Sequence, residues 1–214
     1  MVRSLSREQA FFLTTVAAGA TIWVIRSRLS VRNFLISDLI NPQSVSHIAA
    51  QLDQSNDAEF ILDAWDFVGS HIPYMGYGSE LFFTNHHIRC QKCLLPTETL
   101  KNMQANCVGK SALLASLLRN RLPAERVYMV IGELADGDVG GHSWVEAKLD
   151  SEWYLLESTR PPRNNPWVRA AAMTKSYTAM SYLNDQTLSC FSEEFCVSIP
   201  AGSCDCLTSP YEED

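Results

Sequence analysis

The chain has 214 residues, 46% of them hydrophobic, and a formal net charge of −7. That length and apolar share suit one compact domain with an extension and a sizeable core. The acidic balance, without a Lys/Arg cluster, argues against a nucleic-acid partner.

In chain order, the first segment is Phe11 to Ile25, a charge-free run between Arg7 and Arg26. It is shorter than the about 20 residues a membrane helix needs. It has the basic start and apolar centre of a signal peptide, but no small-x-small cleavage site before Arg26-Ser27-Arg28. The expectation is a helix packed on the core of a cytoplasmic protein, burying Phe11, Phe12, Trp23 and Ile25. Membrane association through residues 11–25 is the alternative. Residues 29–55 read as a helical connector. Asp57 to Ser70 reads as an amphipathic helix with Phe60, Ile61, Ala64, Trp65 and Val68 on one face. Gly76 to Lys92 reads as loop, and Tyr74 and Tyr77 belong near an expected cleft. Pro96-Thr97-Glu98 marks a helix start.

Asn106 is the predicted N-cap of a further helix, whose apolar positions Ala112, Leu113, Ala115, Leu117, Leu118 and Leu122 recur at three- and four-residue steps. Cys107 then falls in the first turn. The partial positive charge of a helix N-terminus stabilises a thiolate there. Val108-Gly109 leaves little bulk beside the sulfur, so a substrate backbone could approach. A lone cysteine is more often a buried structural residue. The residues that follow argue for the nucleophile.

Residues 125–133 read as a strand, and Ala135 to Gly141 as a polar loop. A second strand runs from His142 to Leu149. Alternation puts His142, Trp144, Glu146 and Lys148 on one face and Ser143, Val145, Ala147 and Leu149 on the other. A two-residue turn at Asp150-Ser151 or Ser151-Glu152 leads into a third strand starting near Trp153. With Asp150-Ser151 as the turn, Glu157 falls opposite Trp144, one same-face step from His142. With Ser151-Glu152, it falls opposite Glu146, still on the His face. A three-residue loop would flip it away. Such diagonal positions are about 7 Å apart, a gap a Glu side chain partly closes. Cys107, His142 and Glu157 thus offer a nucleophile, a base and an orienting carboxylate, the minimum for covalent acyl transfer.

The run Pro96-Thr97-Glu98-Thr99-Leu100, Asn106-Cys107, the Ala/Leu-rich helix, Arg119 to Ala124, His142-Ser143-Trp144-Val145-Glu146 and Trp153 to Thr159 resembles the transglutaminase-like superfamily of papain-like cysteine enzymes. The resemblance extends from about Ile61 to Thr159. It implies an α+β, papain-like core in which a Cys-bearing helix packs on an antiparallel sheet. It also implies Cys107 as nucleophile, His142 as base and then acid, and Glu157 as the orienting acid. Members include transglutaminases, peptidases, peptide-N-glycanases and inactive binding modules. The acid is usually Asp, the residue before the nucleophile is often Asp, and Gly is common two residues before it; here Glu157, Asn106 and Ala105 stand in those places. Candidate oxyanion donors are Gln104 and Tyr74 beside the Cys107 N–H. Trp144 and Tyr77 are candidate cleft residues.

This reading divides the chain into a helical extension (1–56), a catalytic domain (57–189) and a Cys-containing acidic tail (190–214). A peptide or protein is the expected substrate, and hydrolysis the expected outcome, since no feature specifies an amine acceptor. Gly109-Lys110-Ser111 resembles the end of a phosphate loop, but Gln104 stands where that loop needs Gly. After Pro161-Pro162 ends the strand, Val168 to Leu183 reads as helix. Of the six other cysteines, Cys90, Cys93, Cys204 and Cys206 form two close pairs. These are read first as reduced thiols, with no cofactor. A zinc site built from these four, or disulfides, are the alternatives.

Overall fold

The computed structural model describes residues 31–53, 55–75, 81–84, 87–91, 93–135, 141–163 and 166–190. Phe11 to Ile25, Tyr77, Cys204 and Cys206 lie outside the described residues, so the expectations placed on them are not met or refuted here. The first element among the described residues is strand β1 (Val31–Leu35), followed by short helices α1 (Ile36–Leu39) and α2 (Ser46–Ala49). The segment read as a helical connector is therefore only partly helical. Helix α3 (Asp57–His71) follows its predicted span, and Phe60, Ile61, Ala64, Trp65 and Val68 are all buried. Asn56 caps it by accepting from the Glu59 N–H at 2.9 Å, the preferred chemistry at a helix start.

Strands β2 (Leu81–Thr84) and β3 (His87–Gln91) come next. They pair antiparallel, and β1 adds to β3 to give a three-stranded sheet. Within the loop reading of Gly76 to Lys92, residues 81–84 and 87–91 are thus corrected to paired strands. The strand residues (Phe82, Phe83, Ile88) sit in runs too short for alternation to stand out. Helix α4 (Pro96–Asn102) starts at the predicted Pro96. Glu98 reaches back to accept from the Leu95 N–H at 2.9 Å.

Helix α5 (Cys107–Leu118) begins as predicted, and the Asn106 side chain accepts from the Gly109 N–H. All twelve of its residues are buried. The sequence reads as one-sided, but α3 and α4 cover the face that the sheet does not. A helix enclosed all round is a central element.

The main sheet comprises β4 (Val127–Leu134), β5 (Gly141–Leu149), β6 (Glu152–Leu156), β7 (Tyr177–Leu183) and β8 (Leu188–Cys190). Its order is β6-β5-β4-β7-β8, and every pairing is antiparallel. Val145 and Ala147 of β5 join Leu113, Leu117, Phe60 and Ile61 in the principal core. Leu39, Ile40, Val45 and Ala49 belong to that same core. Trp144, from the other face of β5, packs with Val130, Leu155, Tyr177 and Tyr182 in a second cluster. The predicted helix over Val168 to Leu183 is instead a four-residue 3-10 turn (Ala170–Met173) followed by β7. The Ala-rich stretch supplies helix propensity, but pairing with β4 wins beyond it. That pairing carries a register shift between Ile131 and Gly132. A Cβ at Gly132 would lie 2.0 Å from the Thr178 carbonyl oxygen and 2.7 Å from Trp144. Only glycine permits this approach.

Candidate active site

The β5–β6 hairpin sets the geometry. Its register pairs Leu149 with Glu152 and Val145 with Leu156, so Asp150-Ser151 is the turn. Asp150 adopts φ 56°, a left-handed conformation that short polar side chains tolerate. Continued one step past β6, the register puts Glu157 opposite Trp144. It therefore lies on the His142 face.

The side chains meet there. His142 Nε2 and Glu157 Oε2 are 2.8 Å apart. Since Nε2 is committed to the carboxylate, Nδ1 is the ring nitrogen left for the thiol. Cys107, a free thiol that is 7% exposed, is hydrogen-bonded to His142. Ser111, one turn along α5, shares a 2.8 Å hydrogen bond with Ser158. That bond ties the start of α5 to the segment carrying Glu157. Trp65 Nε1 donates to the carbonyls of Glu157 and Arg160 at 2.9 and 3.0 Å, fixing the same segment from α3.

Glu157 is fully committed. Its Oε1 accepts from the Thr159 N–H at 2.9 Å and the Thr159 hydroxyl at 2.6 Å. Its Oε2 accepts from His142 and, at 3.0 Å, from the Tyr177 hydroxyl. Burial works against the charge, but these donors and the His142 charge outweigh it and bring Glu157 down to about 2. Burial likewise opposes an imidazolium at His142. Hydrogen bonds to Cys107 and Glu157, with their negative charges, prevail and raise it to about 9. Hydrogen bonding and opposite charge both favour the ionised forms. The site is thereby built to hold an imidazolium between a sulfur and a carboxylate.

Tyr74 and Gln104 fare differently. Tyr74 pairs with Ala105 in an isolated parallel bridge. Met75 N–H donates to the Ala105 carbonyl at 2.8 Å. The Tyr74 hydroxyl is hydrogen-bonded to Cys107, and burial, then the Cys107 charge, pushes it above its ordinary range. It remains a neutral donor at the sulfur. Gln104 is exposed, three residues before Cys107.

Several expectations are corrected. Trp144 is fully buried and cannot line a cleft. The second cluster covers its face, and its Nε1 donates to Glu146 Oε1 at 3.0 Å. It serves instead as a floor under His142, with ring centroids 6.2 Å apart. Gly109 does not open a path to the sulfur, because its missing side chain makes room for Ala105 and Thr99 of the neighbouring segment. Cys93 is disulfide-bonded, which overturns the reduced-thiol reading at that position. It also removes Cys93 from a zinc set, since zinc takes thiolates. Among the described residues, no group of three or more His, Cys, Asp or Glu could hold a metal ion. No helix among them is long and apolar enough to cross a membrane.

Two residues escaped the sequence reading. Tyr177 bonds Glu157 from β7 and lies 20 residues on. Lys110, fully buried in the second turn of α5, donates its ammonium to the Ile72 carbonyl at the end of α3. Burial lowers it to about 8, although the Glu157 charge pulls the other way. Lysine in an apolar helical run was the available signal for it. Nothing local pointed to Tyr177.

Comparison with known proteins agrees with this architecture. A family model described as a transglutaminase-like domain matches residues 43–181. The solved structure of Legionella pneumophila LapG, EGTA-treated, is similar at a TM-score of 0.50 and 11% identity, covering 72% of this chain and 84% of that one. A second Legionella pneumophila LapG structure gives 0.50 and 11%, covering 72% and 85%. At such identity the likeness is one of fold. No curated protein matches the chain.

Proposed function

Since the chain belongs to the transglutaminase-like domain family, we propose that it is a cysteine-dependent acyl-transfer enzyme, a peptidase or amidase working through a Cys107 thioester. The observation that carries this reading is the convergence of Cys107, His142 and Glu157, joined by hydrogen bonds in that order. An inactive interaction module has no need to keep an imidazole between a thiol and a fully committed carboxylate.

The proposed steps use these three groups in turn. The Cys107 thiolate attacks the amide carbonyl carbon, and the π electrons move onto oxygen. In this reading the Cys107 N–H and the Tyr74 hydroxyl, which bonds to Cys107, hold that oxyanion. Collapse breaks the C–N bond, and the His142 imidazolium gives its proton to the departing amine. Water then adds to the thioester and loses a proton to the now neutral His142. Collapse of the second intermediate releases the acid and restores the thiolate–imidazolium pair. Glu157 holds the imidazole ring in place throughout and stabilises its charge.

The test is alkylation of the full-length chain with iodoacetamide, followed by peptide mapping. Cys107 is expected to react faster than every other free cysteine, and more slowly in His142→Ala. Equal rates at all the free thiols would remove the nucleophile from this reading. A peptide library in which cleavage disappears with Cys107→Ala would complete the assignment to hydrolysis; release of an amine-exchanged product would assign transamidation.

A further inference from the structure

On the side of Glu157 that carries Tyr177 lies a pocket of about 170 Å³ that neither Cys107 nor His142 lines. Trp65, Leu155, Val168 and Met173 give it apolar walls. A dry cavity of about 150 Å³ takes a benzene ring, so this one has room for a group of that size. Its charged residues are Glu157, Arg160 and Arg163. Glu157 has both oxygens occupied, and its charge is matched by His142. Arg160 only approaches the neutral Tyr177 hydroxyl at 3.5 Å, and among the described residues neither arginine has a carboxylate partner. Arg160 and Arg163 are both exposed and both line this apolar pocket, on a chain whose formal net charge is −7. Arginine presents a planar fork that matches a carboxylate with two parallel hydrogen bonds.

We propose that this pocket binds a carboxylate borne on an apolar or aromatic body, the ring against Trp65 and Met173 and the anion between Arg160 and Arg163. The carboxylate could arrive on a substrate side chain or on a free small molecule, and the experiment separates the two.

The probe is 3-phenylpropionate, titrated by calorimetry into the full-length protein alongside its neutral amide. The acid is expected to bind at least about tenfold tighter, because one charge-assisted pair is worth about that much. The preference should vanish in the Arg160→Ala/Arg163→Ala double variant and persist in part in Arg160→Lys/Arg163→Lys, which keeps the charge if the alanines disturb folding. Equal affinity for acid and amide, no binding of either, or a preference that survives in the double alanine variant would overturn the proposal. Cys107→Ala leaves the calorimetry intact, so a failure here is distinct from a failure of the thioester reading. The source is read from peptidyl chloromethyl ketones differing only in Glu or Gln. Faster labelling of Cys107 by the Glu reagent, lost in the double alanine variant, assigns the pocket to substrate. Equal labelling with the acid preference intact assigns it to a free carboxylate.

Discussion

The two faces of the five-stranded sheet are built from different chemistry. The face under α5 is aliphatic: Leu113, Leu114, Leu117 and Leu118 meet Val127, Met129, Val145 and Leu156. The other face is aromatic and polar: Trp144, Tyr177 and Tyr182 pack together, and His142 and Glu157 lie at its end. Hydrophobic burial is non-directional and scales with area, so the first face fixes that the domain folds without fixing angles at single atoms. Hydrogen bonds weaken steeply with misalignment, so the second face fixes where the imidazole and carboxylate point. Cys107 and Lys110 of α5 are the exceptions on the aliphatic side, and the Lys110 ammonium feels the Glu157 charge. Away from Cys107 and Lys110, stability and chemistry are therefore separable by mutation.

The sharpest break in that comparison is expected at the triad. Glu157→Gln keeps the volume but loses the charge that holds His142 as an imidazolium. Turnover of a peptide substrate should fall by about 10³-fold or more, since an orienting carboxylate is worth up to about 10⁴ in kcat. The melting temperature should move by only a few degrees. An active Glu157→Gln enzyme would remove the carboxylate from the mechanism.

Leu117→Ala should do the reverse. It opens a cavity in the aliphatic face and is expected to cost about 2–5 kcal/mol of folding stability in denaturant titration. The alkylation rate of Cys107 in the folded fraction should stay unchanged. A loss of Cys107 reactivity without loss of stability would mean that the two faces are not independent.

The same separation has a pH signature. His142 is raised from 6.5 to about 9, so its contribution to stability is complete below pH 6.5 and is lost as pH rises through about 9. Glu157 is lowered from 4.5 to about 2, so its contribution is complete above pH 4.5 and is lost as pH falls through about 2. Both shifts describe one ion pair and are not additive. The melting-temperature advantage of the native chain over Glu157→Gln should be greatest between pH 4.5 and 6.5 and shrink on both sides. A difference that stayed flat from about pH 2 to about pH 9 would contradict the charged pair.

What was legible in the sequence was local. The Asn106 cap and the Cys107 start of α5 rest on adjacent residues. The placement of Glu157 beside His142 rests on a two-residue turn and strict alternation, both countable along fifteen residues. What was not legible depends on distant pairing. β7 joins β4 at Tyr177↔Leu134, across a bulge that only Gly132 allows. No local pattern announces that partner, and the alanines before it argue for helix. Trp144 read as a cleft residue for the same reason: the rings that bury it come from β7. Lys110 was passed over because its partner, the Ile72 carbonyl, lies 38 residues away.

The smallest effect is expected at Tyr177, and it tests whether the aromatic face orients the site or merely fills space. Tyr177→Phe keeps the ring that packs on Trp144 at 5.1 Å and removes only the hydroxyl that donates to Glu157 Oε2. His142 and Thr159 still hold the carboxylate, so the site should survive. A hydrogen bond to a charged group is worth about 1.5–3 kcal/mol when lost, and part of that should appear at the site as an about tenfold slower alkylation of Cys107. Because the lost donor favoured the ionised carboxylate, the folded pKa of Glu157 should rise toward its ordinary value. The acid limb of the alkylation profile should then move to higher pH, while the alkaline limb, set by His142, moves less. A ring that only fills space would leave both limbs where they are, because the Phe ring fills the same space.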